Sequence, residues 1–190
     1  MTLHSKNPEN RILTVPNLLS LFRLCLIPLC VWLYCVKQDY ALTTAVLILS
    51  GLTDVVDGFI ARRFHAVSNV GKVLDPIADK LTQAAMLICL VTRFRRMLAA
   101  LLLMAVKELF AAITGWLTIK KTGKVFSAKW HGKAATVLLY LMLVAHLVWI
   151  SIPPLVSDLL IGLCCAAILL SFVLYGIQNL SLIKNNSQHT

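Results

Sequence analysis

Residues 41–92 read ALTTAVLILSGLTDVVDGFIARRFHAVSNVGKVLDPIADKLTQAAMLICLVT. Two apolar runs flank a polar centre. Four of the chain's eight acidic residues, Asp54, Asp57, Asp75 and Asp79, stand where the runs meet that centre. Each run is close to the ~20 residues that cross a bilayer as a helix. A carboxylate at the margin of hydrocarbon is costly, so it points to function by default. The stretch 63–71 (RFHAVSNVG) is polar and ends in glycine, which predicts a turn. A turn this short makes the two helices antiparallel neighbours.

The rest of the chain has the same character. Of 190 residues, 59% are hydrophobic and 14% charged, with a mean hydropathy of +0.82. Soluble domains carry roughly a quarter charged residues. Six apolar segments follow, at 15–36, 41–61, 73–92, 97–119, 134–152 and 154–183. Backbone exposed to lipid must close its hydrogen bonds internally, which leaves helices or barrels. The period-two alternation of a barrel is absent. The expectation is one all-α integral membrane domain of six transmembrane helices over 15–183, with a polar segment at 1–14 and a tail at 184–190. Residues 5–16 offer a short interfacial helix, with a frayed tail as the alternative. The first apolar run contains Arg23 and no small-residue cleavage pattern, so it reads as a retained helix rather than a cleaved signal.

The net charge is +10. Its distribution fits the positive-inside rule rather than a nucleic-acid surface. With a cytoplasmic N-terminus, Lys6, Arg11, Arg62, Arg63, Lys72, Lys120, Lys121, Lys124, Lys129, Lys133 and Lys184 fall inside. Only Lys37, Arg93, Arg95 and Arg96 fall outside. Both termini are then cytoplasmic, and the RFRR cluster at 93–96 is left to snorkel towards headgroups. The six cysteines at 25, 30, 35, 89, 164 and 165 show no CxxC spacing and read as small buried hydrophobes.

Helical spacing organises the acidic centre. Positions 54, 57, 58, 61 and 62 form one stripe and 71, 75 and 79 another. Facing each other, the stripes converge four carboxylates near the cytoplasmic surface. Such a group repels itself unless positive charge intervenes, and divalent metal is the natural candidate. Gly58 and Ala61 remove bulk on the same face, which admits a ligand or, more simply, a close-packed helix. Carboxylates, small residues and an arginine together suit a nucleotide diphosphate held through metal. Two ions can grip both the attacking and the leaving oxygen of an in-line displacement.

The pattern Asp54-x-x-Asp57-Gly58-x-x-Ala61-Arg62, eight residues, Gly71-x-x-x-Asp75-x-x-x-Asp79 resembles the signature of the CDP-alcohol phosphatidyltransferases, with every fixed position filled. The resemblance implies a CDP-linked lipid, usually CDP-diacylglycerol, bound at the cytoplasmic end of the bundle. It implies two Mg²⁺ or Mn²⁺ ions on Asp54, Asp57, Asp75 and Asp79, with Asp79 also the catalytic base. It implies a nucleotide site lined by Gly58, Ala61, Arg62 and Gly71, with Asn17 touching the nucleotide or capping the first helix. Homodimers are usual in the family.

Within that family VPNLLSLFRLCLIP (15–28) and DPIADK (75–80) resemble the phosphatidylglycerophosphate-forming branch, whose acceptor is sn-glycerol 3-phosphate. A dianionic acceptor needs cations, and Lys107, Lys129 and Lys133 are the candidates. Where that branch commonly carries Arg-Glu, this chain has Lys107-Glu108, which keeps the charge but loses the bidentate fork. The rival is the cardiolipin-forming branch, whose acceptor is phosphatidylglycerol; inositol-phosphate and serine acceptors rank lower. A cation transporter stands outside the family, and would set its acids at the bilayer midplane among broken helices.

Structural alternatives accompany each residue. The aspartates have ion pairing with Arg62, Arg63 or Lys80, and N-capping by Asp75. Lys107 and Glu108 have mutual pairing, Arg23 has snorkelling or pairing with an acid, and His146 has the role of a satisfied core histidine.

Overall fold

The computed structural model describes residues 15–63, 71–122 and 130–186. In order they form α1 (Val15–Trp32), a π-helical turn (Leu33–Lys37), α2 (Tyr40–Arg63), α3 (Gly71–Val91), α4 (Met97–Thr122), α5 (Trp130–Val148) and α6 (Pro154–Asn186). No strand occurs among the described residues. Each predicted apolar segment is one helix, within a few residues at either end. Counting the π turn with α1, the largest shift is at α5, which begins and ends four residues early; α4 and α6 each run three residues further, α6 taking in 184–186 of the expected tail. Residues 1–14, with the expected interfacial helix, lie outside the described residues.

Local chemistry sets the helix ends. Gln38 at φ 55° closes the π turn in the left-handed conformation, its N–H returning to the Leu33 carbonyl. One residue on, the Asp39 carboxylate accepts the Leu42 N–H at 2.9 Å and caps α2. Pro154 opens α6, where its missing N–H costs nothing.

The chain divides into two compact units, Met1–Cys89 and Leu90–Thr190. In the first, α1 and α2 pack together. The buried stripe of α1 runs Asn17, Ser20, Arg23, Leu26, Cys30, and that of α2 runs Thr43, Leu47, Ser50. On α3 it runs Ala78, Thr82, Met86 and Cys89. In the second unit α6 packs against both α4 and α5. Its core joins Met97, Ala100 and Met104 to Leu139, Leu143, Ile161, Cys164 and Ile168. Phe110 and Phe172 meet edge to face at 5.0 Å. His146 is a satisfied core histidine, its Nδ1 bonded to the Met142 carbonyl at 2.8 Å and its Nε2 to the Ser157 hydroxyl at 2.9 Å. The arginines of the 93–96 turn are tied down locally. Arg93 donates to the Ile150 carbonyl and Arg96 pairs with Asp158.

The outward faces are as apolar as the cores. Leu21, Leu102, Leu155 and Leu170 are all exposed. A water-soluble surface does not tolerate such continuous apolar faces, whereas lipid does. Asn17–Lys37, Met97–Gly115 and Pro154–Ile177 are each long and apolar enough to cross a membrane, and Tyr40–Val56 and Gly132–Val148 are shorter apolar helices. The protein is an all-α integral membrane protein.

Candidate active site

One end of the first unit concentrates polar groups that the apolar surroundings would otherwise exclude. Three polar side chains follow one another at i, i+3, i+6 on α1. Asn17 is buried, Ser20 is wholly buried and Arg23 is 1% exposed. A guanidinium so enclosed is tolerable only if paired. It is paired twice. Arg23 Nη1 bonds the Asp54 carboxylate from α2, and Nη2 lies 3.8 Å from Asp75 Oδ1 on α3. Ser20 donates its hydroxyl to the same Asp75 oxygen. Three helices are thus joined at one polar centre.

Asp79 stands one turn beyond Asp75 on α3. Its surroundings differ. Asp79 Oδ2 accepts the Gln83 side-chain amide at 2.9 Å and lies 3.6 Å from Lys80 Nζ. Its side chain is 15% exposed, against 33% for Asp75 and 44% for Asp54. The site is graded, with two more open carboxylates sharing an arginine and one more enclosed carboxylate held by an amide.

The structure joins Asp54 and Asp75 at this centre, sets Asp79 one turn beyond Asp75, and places Asn17 on the stripe that feeds it. Asp57, Gly58, Ala61 and Arg62 occupy the end of α2, and Gly71 is the first residue of α3; their side chains lie outside the described residues. Among the described residues no three ligating side chains are gathered closely enough to hold a metal ion. The donor set nevertheless fits hard divalent cations, since it offers carboxylate oxygens whose mutual repulsion a positive charge must relieve. Of the acceptor candidates, Lys107 and Lys133 lie in the second unit and Lys129 outside the described residues. Lys107 Nζ is 2.9 Å from Glu108 Oε1, the mutual pair set out above as its alternative.

Of the structural alternatives, N-capping by Asp75 does not hold, because α3 begins four residues before it. Of the two roles set out for Arg23, the structure shows pairing with acids: it is the buried counter-ion of Asp54 and Asp75. Ser20, Arg23 and Gln83 are site residues that the motif did not contain. Their signal was a polar stripe at helical spacing inside an apolar segment.

Comparison with known proteins identifies the family. The family model for CDP-alcohol phosphatidyltransferase matches residues 13–175. A CDP-diacylglycerol–glycerol-3-phosphate 3-phosphatidyltransferase of Sodalis glossinidius is 32% identical over 168 residues, covering 85% of this chain and 88% of that protein. The enzyme of the same name from Bacillus subtilis is 35% identical over 136 residues, 64% of this chain and 70% of that protein. A cardiolipin synthase (CMP-forming) of Streptomyces coelicolor is 43% identical over 77 residues, 38% of this chain and 36% of that protein. The match to the cardiolipin synthases thus spans only about a third of the Streptomyces protein, and 14% of a Schizosaccharomyces pombe fusion protein. A family match across most of the chain, with its carboxylates assembled at one end of a helical unit, places this protein in the CDP-alcohol phosphatidyltransferase family.

Proposed function

We propose that the protein transfers the phosphatidyl group of CDP-diacylglycerol to sn-glycerol 3-phosphate, releasing CMP, as the step that commits lipid to phosphatidylglycerol. The observation that carries this reading is the meeting of Asp54 and Asp75, from two helices, on the buried Arg23 guanidinium, with Asp79 one turn beyond Asp75 on α3. The acceptor is supported by the breadth of similarity. The relatives named for glycerol 3-phosphate align over 64% and 85% of the chain, and the Streptomyces cardiolipin synthase over 38%.

In this reading Asp54, Asp57, Asp75 and Asp79 hold two Mg²⁺ or Mn²⁺ ions. When bound, the ions neutralise the diphosphate and the charge that develops on its oxygens. Asn17, Gly58, Ala61, Arg62 and Gly71 receive the cytidine and diphosphate, the small residues by admitting the ligand close to the helix. Asp79 takes the proton of the acceptor hydroxyl. The oxygen so freed forms a new bond to the lipid-side phosphorus, and the bond from that phosphorus to the CMP oxygen breaks, its electron pair leaving with CMP. Gln83 positions Asp79 by donating its side-chain amide to one of the carboxylate oxygens. Lys107, Lys129 and Lys133 bind the acceptor phosphate. Most of the catalytic demand in such a transfer is positioning and charge neutralisation.

The protein acts as a homodimer in the bacterial cytoplasmic membrane, with this site facing the cytoplasm. The charge asymmetry of the loops supports that orientation. The second reading, cardiolipin formation with phosphatidylglycerol as acceptor, is favoured by the higher local identity to the Streptomyces protein.

The test is an acceptor panel. Purified protein with CDP-diacylglycerol and Mg²⁺ or Mn²⁺ releases CMP when given glycerol 3-phosphate and not when given phosphatidylglycerol. The reverse result moves the protein to cardiolipin formation. No metal-dependent CMP with any alcohol rejects both.

A further inference from the structure

The first unit has a second reactive cluster, built from cysteines that the sequence marks only as small hydrophobes. Cys35 Sγ lies 3.9 Å from Cys89 Sγ, across 54 residues of sequence. The two thiols are unequal: Cys35 is exposed and Cys89 is 4% exposed. No disulfide joins the cysteines among the described residues.

The backbone explains the meeting. Cys35 is the central residue of the π turn Leu33–Lys37. Hydrogen bonds of the π type span five residues instead of four, so the side chains that follow lag around the helix axis. Cys30, five residues earlier, is buried in the α1 stripe. In a regular α-helix Cys35 would stand far round the axis from Cys30; the wider turn brings it back towards α3. Lys37, Gln38 and Asp39 follow at once, so Cys35 stands near the polar end of its span. Cys89 is enclosed and is reached through Cys35.

We propose that Cys35 and Cys89 are a thiol–disulfide pair, a modification site that low-molecular-weight disulfides oxidise reversibly. The Cys35 thiolate attacks the reagent disulfide, forms a mixed disulfide and expels one reagent thiolate. The Cys89 thiolate then attacks Cys35 Sγ, closes the protein disulfide and expels the second. Two protein thiols are oxidised, one reagent disulfide is reduced to two thiols, and the two protein protons end on those reagent thiols. In the orientation proposed above, this end of the unit is on the non-cytoplasmic side, where disulfides persist.

The experiment uses the full-length protein in lipid nanodiscs, oxidised glutathione as the probe, and peptide mapping by mass spectrometry. The wild type yields a Cys35–Cys89 cross-linked peptide that dithiothreitol reverses. Cys35→Ser leaves Cys89 reduced. Cys89→Ser accumulates a glutathione adduct on Cys35, which the wild type resolves. A wild-type adduct on Cys35 that never resolves overturns the proposal, as does a cross-link from Cys30 in place of Cys35.

Discussion

Arg23 on α1 is ion-paired with Asp54 on α2, 31 residues away, and the same buried guanidinium lies 3.8 Å from Asp75 on α3. The pairing makes the motif carboxylates Asp54 and Asp75 part of the fold, because their counter-ion is also what ties α1 to its neighbours. Truncating one partner of a buried pair leaves an uncompensated charge, which costs about 3–5 kcal/mol. Arg23→Met is therefore expected to lower stability by about that amount. Asp54→Asn in the same chain is expected to recover part of the loss, since it removes one of the orphaned charges. Thermal unfolding in detergent of the two single variants and the double variant checks this; additive losses would show that the two residues are not coupled.

Asp79→Asn is expected to leave the helical content intact and to lower turnover by about 10²–10⁴-fold, the range for loss of a positioned general base. The asparagine keeps an oxygen for the Gln83 amide but has no site for the acceptor's proton. CMP release beside far-UV circular dichroism measures both. Near-wild-type turnover would remove Asp79 from the role of base.

Gln83→Leu tests positioning rather than chemistry. It removes the amide 2.9 Å from Asp79 Oδ2. A misplacement of about 1 Å can cost as much as 10²-fold, so kcat should fall while KM for CDP-diacylglycerol stays near its wild-type value. Gln83→Asn, which cannot reach as far, should restore little. A change confined to KM would place Gln83 in substrate binding instead.

Divalent metal should bind and stabilise the folded protein in proportion to the carboxylates present. At a hundred times its dissociation constant a ligand adds about 2.7 kcal/mol to the folded state. Mn²⁺ titration followed by thermal shift should show this in the wild type and lose most of it in Asp75→Asn. An equal shift in both would mean that the ion binds elsewhere.

Lys107→Ala and Lys133→Ala separate the two acceptor readings. A hydrogen bond to a charged group contributes roughly 1.5–3 kcal/mol, about ten- to a hundredfold in affinity. KM for glycerol 3-phosphate should rise by that factor and KM for CDP-diacylglycerol should not. No change in either would leave Lys107 with only its structural partner, Glu108.

Much of the architecture was legible in the sequence. An apolar run near bilayer length has one inexpensive conformation in lipid, so the α1–α6 segments could be placed to within a few residues. The Asp54, Asp57, Asp75, Asp79 spacing was equally plain, because helical period fixes which residues share a face. Ser20, Arg23 and Gln83 were not legible as site residues. Each lies on a polar stripe of an apolar helix, and periodicity gives the face it occupies but not what faces it.

The sequence by itself determined an all-helical membrane protein with a family signature at the α2–α3 boundary, since hydrophobic length and helical period are local properties. Only the tertiary structure decided how the charges are balanced. The partner of Asp54 and Asp75 is a guanidinium two helical turns into α1, and the partner of Asp79 is an amide one turn further along α3. It also decided that Cys35, in a π turn no spacing rule anticipated, meets Cys89. Pairings across long sequence separations depend on how whole helices pack, and no local pattern encodes that.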